Sequence, residues 1–257
     1  MSGVSQPETV VIDCENRLVE VKGKKISLRE LNIDAPVSGT IYGTLLNYKE
    51  ALVAMGEEVH EDPYKAPPKA PILYIKPANT IIGYGAEIPM PAAVQELEIG
   101  AALGIVIGRR ATQVPQAEAL DYVAGYTVVN DVSIPHNSVY RPAISQKCRD
   151  GFCPVGPWVI EREAVANPDA LTIQVFVNGE LRQENTTANL IRSVPRLIAD
   201  VTEFMTLNEG DVLLVGVPEK APIVNAGDHI RIEIIGVGVL ENTVVHEHEL
   251  LAGGTKR

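Results

Sequence analysis

Most of this chain is written in short runs of β-branched and aliphatic residues that stop at a turn signal. PILYIKP (71–77), GAALGIVIG (100–108), GYTVVND (125–131), TIQVFVNG (172–179), GDVLLVG (210–216), HIRIEIIG (229–236) and GVLENTVV (238–245) all have this form. Such runs fit strands, and Gly, Asn-Gly and Gly-Asp between them fit tight turns. Earlier in the chain, ETVVID and RLVEVKG read as further short strands, with polar turns at Glu15-Asn16 and Gly23-Lys24. Helical patterning is sparse. Residues 47–63 suggest a short helix closed by Gly56, and Gln116 to Tyr122 suggest another. The clearest is Ser193 to Met205. Ser193 suits an N-cap, Pro195 suits the first turn, and Leu197, Ile198, Val201 and Phe204 form an apolar stripe. The expected fold class is therefore mostly β (α+β), a rolled or barrel-like sheet with peripheral helices. KAPPKAP (65–71) cannot be helical, and a boundary is placed beside it. Residues 1–64 are expected to form a small β-rich region and 65–257 the core domain.

The charge balance narrows the partners. With 22 basic and 33 acidic side chains, a net charge of −11 gives no basic footprint for nucleic acid and repels anionic lipid. No apolar run approaches a membrane span, and the N-terminus lacks the basic and apolar regions of a signal peptide. The three cysteines, Cys14, Cys148 and Cys153, form no CxxC pair, which fits a reducing cytoplasm. An anionic small substrate remains compatible, provided that basic side chains converge locally.

Three segments carry chemistry-bearing residues. In YRPAISQKCRDGFCPVGPW (140–158), Arg141, Lys147, Arg149 and Asp150 lie on a loop broken by glycine and proline. This is a common setting for a site, and equally that of a solvated loop. Asp131 follows a strand-like run, where a carboxylate can hold a hard cation such as Mg²⁺ or serve as a turn residue. Glu96 and Glu98 lie two apart and face one side of a strand, as chelators or as an exposed strand end. His246 and His248 are too few for a zinc site. No dinucleotide, nucleophile-elbow or phosphate-loop motif is present.

Taken in order, ELEIGAALGIVIG, DYVAGYTVVNDVS, YRPAISQKCRDGFCPVGPW, LNEGDVLLVGVP and NAGDHIRIEI resemble the fumarylacetoacetate hydrolase family over roughly residues 40–246. DPYKAPPKAPILYIKPANTIIGYG is similar to its isomerase/decarboxylase branch in homoprotocatechuate degradation, as an N-terminal-type half. The resemblance implies a mixed β-roll and a Mg²⁺ or Mn²⁺ ion held by three carboxylates, one of them Asp131. It also implies a site segment in which Lys147 and Asp150 are catalytic. Lys76, Tyr140, Arg141 and Arg149 would anchor a small anionic 2-oxo or enol carboxylate. A homo- or hetero-oligomer with a paralogous subunit is expected.

Against that pattern, counting back from Gly108 puts Gly100 and Ala102 at the two glutamate positions of the family. Glu98 and Glu96 have the same strand parity but lie two residues or more upstream, and two residues of strand displace a side chain by roughly 6.6 Å. Ala51 and Ala54 stand where active relatives carry His and Glu, and Gly216-Val217-Pro218 replaces a GTP turn. Two functions are carried forward: a decarboxylase, and a metal-deficient structural partner of a catalytic paralogue. A hydrolase of an acylpyruvate is a third.

Overall fold

The computed structural model describes residues 11–13, 18–21, 23–27, 33–136 and 143–253. In chain order the first elements are β1 (Val11–Asp13), β2 (Leu18–Val21), β3 (Lys24–Ser27), β4 (Ile41–Leu45), helix α1 (Lys49–Val53), β5 (Ile72–Lys76) and β6 (Ile81–Ile82). There follow β7 (Glu87–Met90), β8 (Leu97–Glu98), β9 (Ala101–Ile107), β10 (Val123–Asn130), helix α2 (Ile144–Lys147), β11 (Cys153–Glu161), β12 (Thr172–Val177) and β13 (Glu180–Thr186). The chain continues through helix α3 (Val194–Phe204), β14 (Val212–Leu214), β15 (Ile223–Val224), β16 (His229–Ile234), β17 (Gly238–His246) and helix α4 (Glu247–Gly253).

Two large sheets carry the fold. One has seven strands in the order β5-β4-β14-β9-β10-β11-β6, the other five in the order β13-β12-β16-β17-β7. The apolar run AALGIVI becomes β9, buried at every residue because it lies between β14 and β10 with both faces covered. In β12 and β16 burial alternates instead, since one face meets the core and the other solvent.

The main core lies between the sheets and receives α3. Ser193 Oγ accepts from Arg196 N at 3.4 Å, and Asp169 Oδ1 accepts from Val194 N at 2.7 Å. Both bonds satisfy amides that a helix start leaves open. The buried stripe is Leu197, Ile198 and Val201, and Phe204 is exposed at the end of the helix. A second apolar cluster fills the opposite face of the seven-stranded sheet: Ile41, Ala102, Val106, Val129, Cys153, Val155, Val212 and Leu214.

The boundary expected at residues 64–65 cuts through a sheet. β4 pairs in parallel with β14 and antiparallel with β5, so residues 41–45 are core strand despite preceding the proline segment. Among the described residues before 64, β1, β2 and β3 form a separate small sheet, and Val19 from it joins the main core. Residues 116–122 form a 3-10 helix, and the helix sought in 47–63 is limited to α1 plus a 3-10 turn, Gly56–His60. β11 was not legible beforehand. It contains Pro154, Gly156 and Pro157; its pairing with β10 is irregular between Tyr126 and Val128, where Pro157 falls, while Pro154 stands opposite Ile82 of the short edge strand β6.

Candidate functional site

The site is built where three parts of the chain meet at the end of β10. Beyond β9 and β10 the ladder continues: Asp131 N donates to Gly100 O at 2.8 Å, and Glu98 and Ser133 exchange backbone bonds of 2.8 and 3.1 Å. Paired residues share a face, so Ala102, Gly100 and Glu98 lie on the same side as Asp131 and Ser133.

Strand β5 supplies Tyr74 and Lys76 from the sheet edge, although β4, β14 and β9 separate it from β10. Their side chains reach Asp131 because the sheet curls and brings these strands together across its concave face. Gly43 is required for this. A Cβ there would lie 2.0 Å from Tyr74 Cζ, so the ring covers the glycine opposite it in register.

Asp131 is fully enclosed. Lys76 Nζ lies 2.8 Å from Oδ1 and Lys147 Nζ 2.9 Å from Oδ2, while the Tyr74 hydroxyl donates to Oδ2. Burial would raise the Asp131 pKa, but Lys147 and Lys76 outweigh it and hold the carboxyl well below the usual carboxylate range. Tyr74 is pushed well above the ordinary phenol value, first by burial and then by the neighbouring Asp131 charge, so it is a neutral donor. Two ammoniums against the Asp131 carboxylate leave a surplus positive charge in a buried place, which Glu98 offsets when ionised.

The lysines differ in what they have left to give. Lys76, with a side chain 0% exposed, also donates to Val132 O at 3.0 Å and Lys147 O at 2.8 Å, and so spends its ammonium inside the protein. Lys147, at the end of α2, is 10% exposed and stands 4.9 Å from the centroid of the Tyr74 ring. The one hydrogen bond of its ammonium among the described residues goes to Asp131, and an ammonium has three donors.

Glu98 is half-buried beside this centre. Burial raises its pKa, opposed by Lys147 and His136, and its carboxylate bonds to Ser133. The Gly216-Val217-Pro218 turn forms a further wall. Gly216 takes φ +112°, a conformation open to glycine, and Val217 Cγ2 would lie 2.9 Å from a Cβ on Gly100.

Several expected site residues lie elsewhere. Glu96 is exposed before β8, because the ladder that brings Glu98 to Ser133 begins after it. Asp150 is exposed, and its Oδ1 accepts from Asn79 Nδ2 at 2.7 Å, which ties the loop to the segment after β5. Arg149 is exposed and donates to Ser145 O at 2.9 Å, back onto its own turn. Lys76 is not a direct substrate anchor, since its ammonium is saturated by protein oxygens. Tyr140 and Arg141 lie outside the described residues. Tyr74, Ser133 and His136 were not anticipated. Tyr74 could have been found, because it lies two residues from Lys76 on a strand and so shares its face.

The chain belongs to the fumarylacetoacetate hydrolase family: residues 40–245 match the fumarylacetoacetate (FAA) hydrolase C-terminal family. It is 44% identical over 214 residues to the 4-hydroxyphenylacetate degradation bifunctional isomerase/decarboxylase of Escherichia coli, a match that covers 83% of this chain and 49% of that protein. The chain thus spans about half the length of the curated relatives that it matches at 42–44% identity. Among solved structures, 5-carboxymethyl-2-hydroxymuconate delta-isomerase from Mycobacterium smegmatis aligns with a TM-score of 0.76 at 30% identity, covering 92% of this chain and 93% of that one. Maleylpyruvate hydrolase from Sphingobium sp. SYK-6, in complex with manganese(II) and pyruvate, aligns with a TM-score of 0.72 at 29% identity, covering 87% and 77%.

The residues present here do not fit that family metal. Gly100 and Ala102 offer no ligand, and both Asp131 oxygens already face an ammonium. The strands have also closed over the space, since a Cβ on Gly100 would lie 2.5 Å from Asp131 O. Among the described residues no group of three His, Cys, Asp or Glu side chains is arranged to hold a cation. Likewise, no helix among them is long and apolar enough to cross a membrane.

Proposed function

We propose that this chain is a decarboxylase of homoprotocatechuate catabolism, converting 5-oxopent-3-ene-1,2,5-tricarboxylate to 2-hydroxyhepta-2,4-dienedioate. Relatives of this chain are isomerase/decarboxylases and related isomerases, which supports the reaction class. The observation that carries the reading is the buried Lys76–Asp131–Lys147 centre with Tyr74, in which Lys147 keeps N–H donors without an acceptor among the described residues. The substrate is polyanionic and loses CO₂ from the saturated carbon next to the C=C bond that is conjugated with its 2-oxo group. The electron pair of the breaking C–C bond runs through the conjugated chain onto the 2-oxo oxygen, which a proton then converts to the 2-hydroxy group. Lys147 is placed to meet that growing oxyanion, and a fixed charge in a poorly hydrated site stabilises the transition state more than the ground state. Asp131 and Tyr74 orient Lys147. Lys76 holds Asp131 and, through Lys147 O, the end of α2.

A second reading has its own observation. The family's carboxylate ligands are missing and their space is closed around Gly100, which suits a structural partner of a catalytic paralogue. A cytoplasmic location and a homo- or hetero-oligomer belong to both readings. Purified chain is assayed for CO₂ release and for the absorbance change of the diene, alone and after co-expression with a metal-competent paralogue. Turnover by the chain alone supports decarboxylation here, whereas activity confined to a hetero-oligomer transfers the role to the partner reading.

A further inference from the structure

We infer that the Lys147 ammonium, backed by Asp131, Lys76 and Tyr74, is a carboxylate-binding site that works without a divalent cation. The inference rests on the proposed reading of this site and gives it a ligand chemistry: a small 2-oxo acid or dicarboxylate, held by an ammonium instead of a metal.

Four observations combine. First, the charge is present without a metal, since two ammoniums face one carboxylate. Second, Asp131 Oδ2 lies 2.9 Å from Lys147 Nζ and accepts from it, which holds the ammonium in place. Third, the division of labour between the lysines is unequal. Lys76 is saturated by two carbonyls and a carboxylate oxygen, whereas Lys147, its side chain 10% exposed against 0%, retains N–H donors without an acceptor among the described residues. Fourth, the space for extra ligands is filled by the Asp131 backbone and Val217, so the site is rebuilt for a different cation rather than merely stripped of two glutamates. Glu98, beside Lys147, is the group that limits affinity when it is ionised, because it competes for the same ammonium.

The probe is oxalate, titrated calorimetrically into the full chain at pH 7 and fixed ionic strength, once with EDTA and once with MnCl₂. The expected result is saturable binding, equal within about twofold in the two buffers and weakening as salt rises. Lys147→Gln should weaken it at least tenfold, and Lys147→Arg should keep it within a few-fold. Because the wild-type comparison needs no variant, misfolding of Lys147→Gln leaves the test intact. Binding seen only with MnCl₂, no binding in either buffer, or equal binding by Lys147→Gln would each overturn the inference. The decarboxylase reading fails separately: metal-free oxalate binding without turnover sinks that reading and leaves this site standing.

Discussion

Replacing Asp131 with asparagine preserves shape and removes one charge from the middle of the Lys76–Asp131–Lys147 centre. The two ammoniums, 2.8 and 2.9 Å from its oxygens, then face each other with no anion between them. Lys76 cannot escape to water, with a side chain 0% exposed, whereas Lys147 at 10% can relax partway. Removing one partner from a buried ion pair costs ~3–5 kcal/mol, mostly the penalty of the charge left behind. For a chain of this size that corresponds to a fall in Tm of about 10 °C. The assay is equilibrium urea unfolding at pH 7 with a thermal melt alongside. Adding Lys147→Met to Asp131→Asn should recover about half of the loss, because one surplus ammonium is gone. The pH dependence follows from the same charge. Asp131 has a folded pKa below its unfolded value of about 3.9, so its contribution is fully present above that value. It is lost as pH falls through the folded pKa, and Asp131→Asn should therefore lose less stability on acidification than wild type. A variant within about 1 kcal/mol of wild type at pH 7, with unchanged acid sensitivity, would refute the description of this centre as a charge-balanced cluster.

Gly43→Ala should displace the Tyr74 ring, because the new Cβ falls 2.0 Å from Cζ. Overpacking of this kind costs ~1–3 kcal/mol in chemical denaturation and should lower oxalate affinity along with it. Leu197→Ala, in the fully buried stripe of α3, should cost ~2–5 kcal/mol by the same assay while oxalate binding persists below the transition. Ser193→Ala should cost only ~1 kcal/mol or less, since its 3.4 Å cap bond is long and Asp169 caps the neighbouring amide. Tyr74→Phe removes the hydroxyl that donates to Asp131 and should lower turnover more than it raises KM, as steady-state kinetics would show.

Much of this architecture could be read from local pattern, for a physical reason. Strand character and turn chemistry are properties of a few adjacent residues, so the β-rich class, β9, β10, β16 and the stripe of α3 were all visible in one dimension. The family was legible too, through motifs kept in order, and with it the absence of glutamates at Gly100 and Ala102. What remained hidden depends on contacts between distant residues. β4 joins the core because β14, about 170 residues later, offers it an edge, and no linker composition announces that pairing. β11 hides behind prolines, of which Pro157 sits in a pairing irregularity and Pro154 opposite the short edge strand β6. Asp131, Lys147 and Lys76 were each singled out, yet their joint arrangement, with Tyr74 as the third donor, exists because the sheet curls. Competing partners then separated the lysines, saturating Lys76 with protein oxygens and leaving Lys147 with N–H donors unspent among the described residues. The same competition moved Asp150 and Arg149 onto surface ties. Residue type fixes which charges a chain can bring to a site, and the tertiary fold decides which of them still have bonds to give.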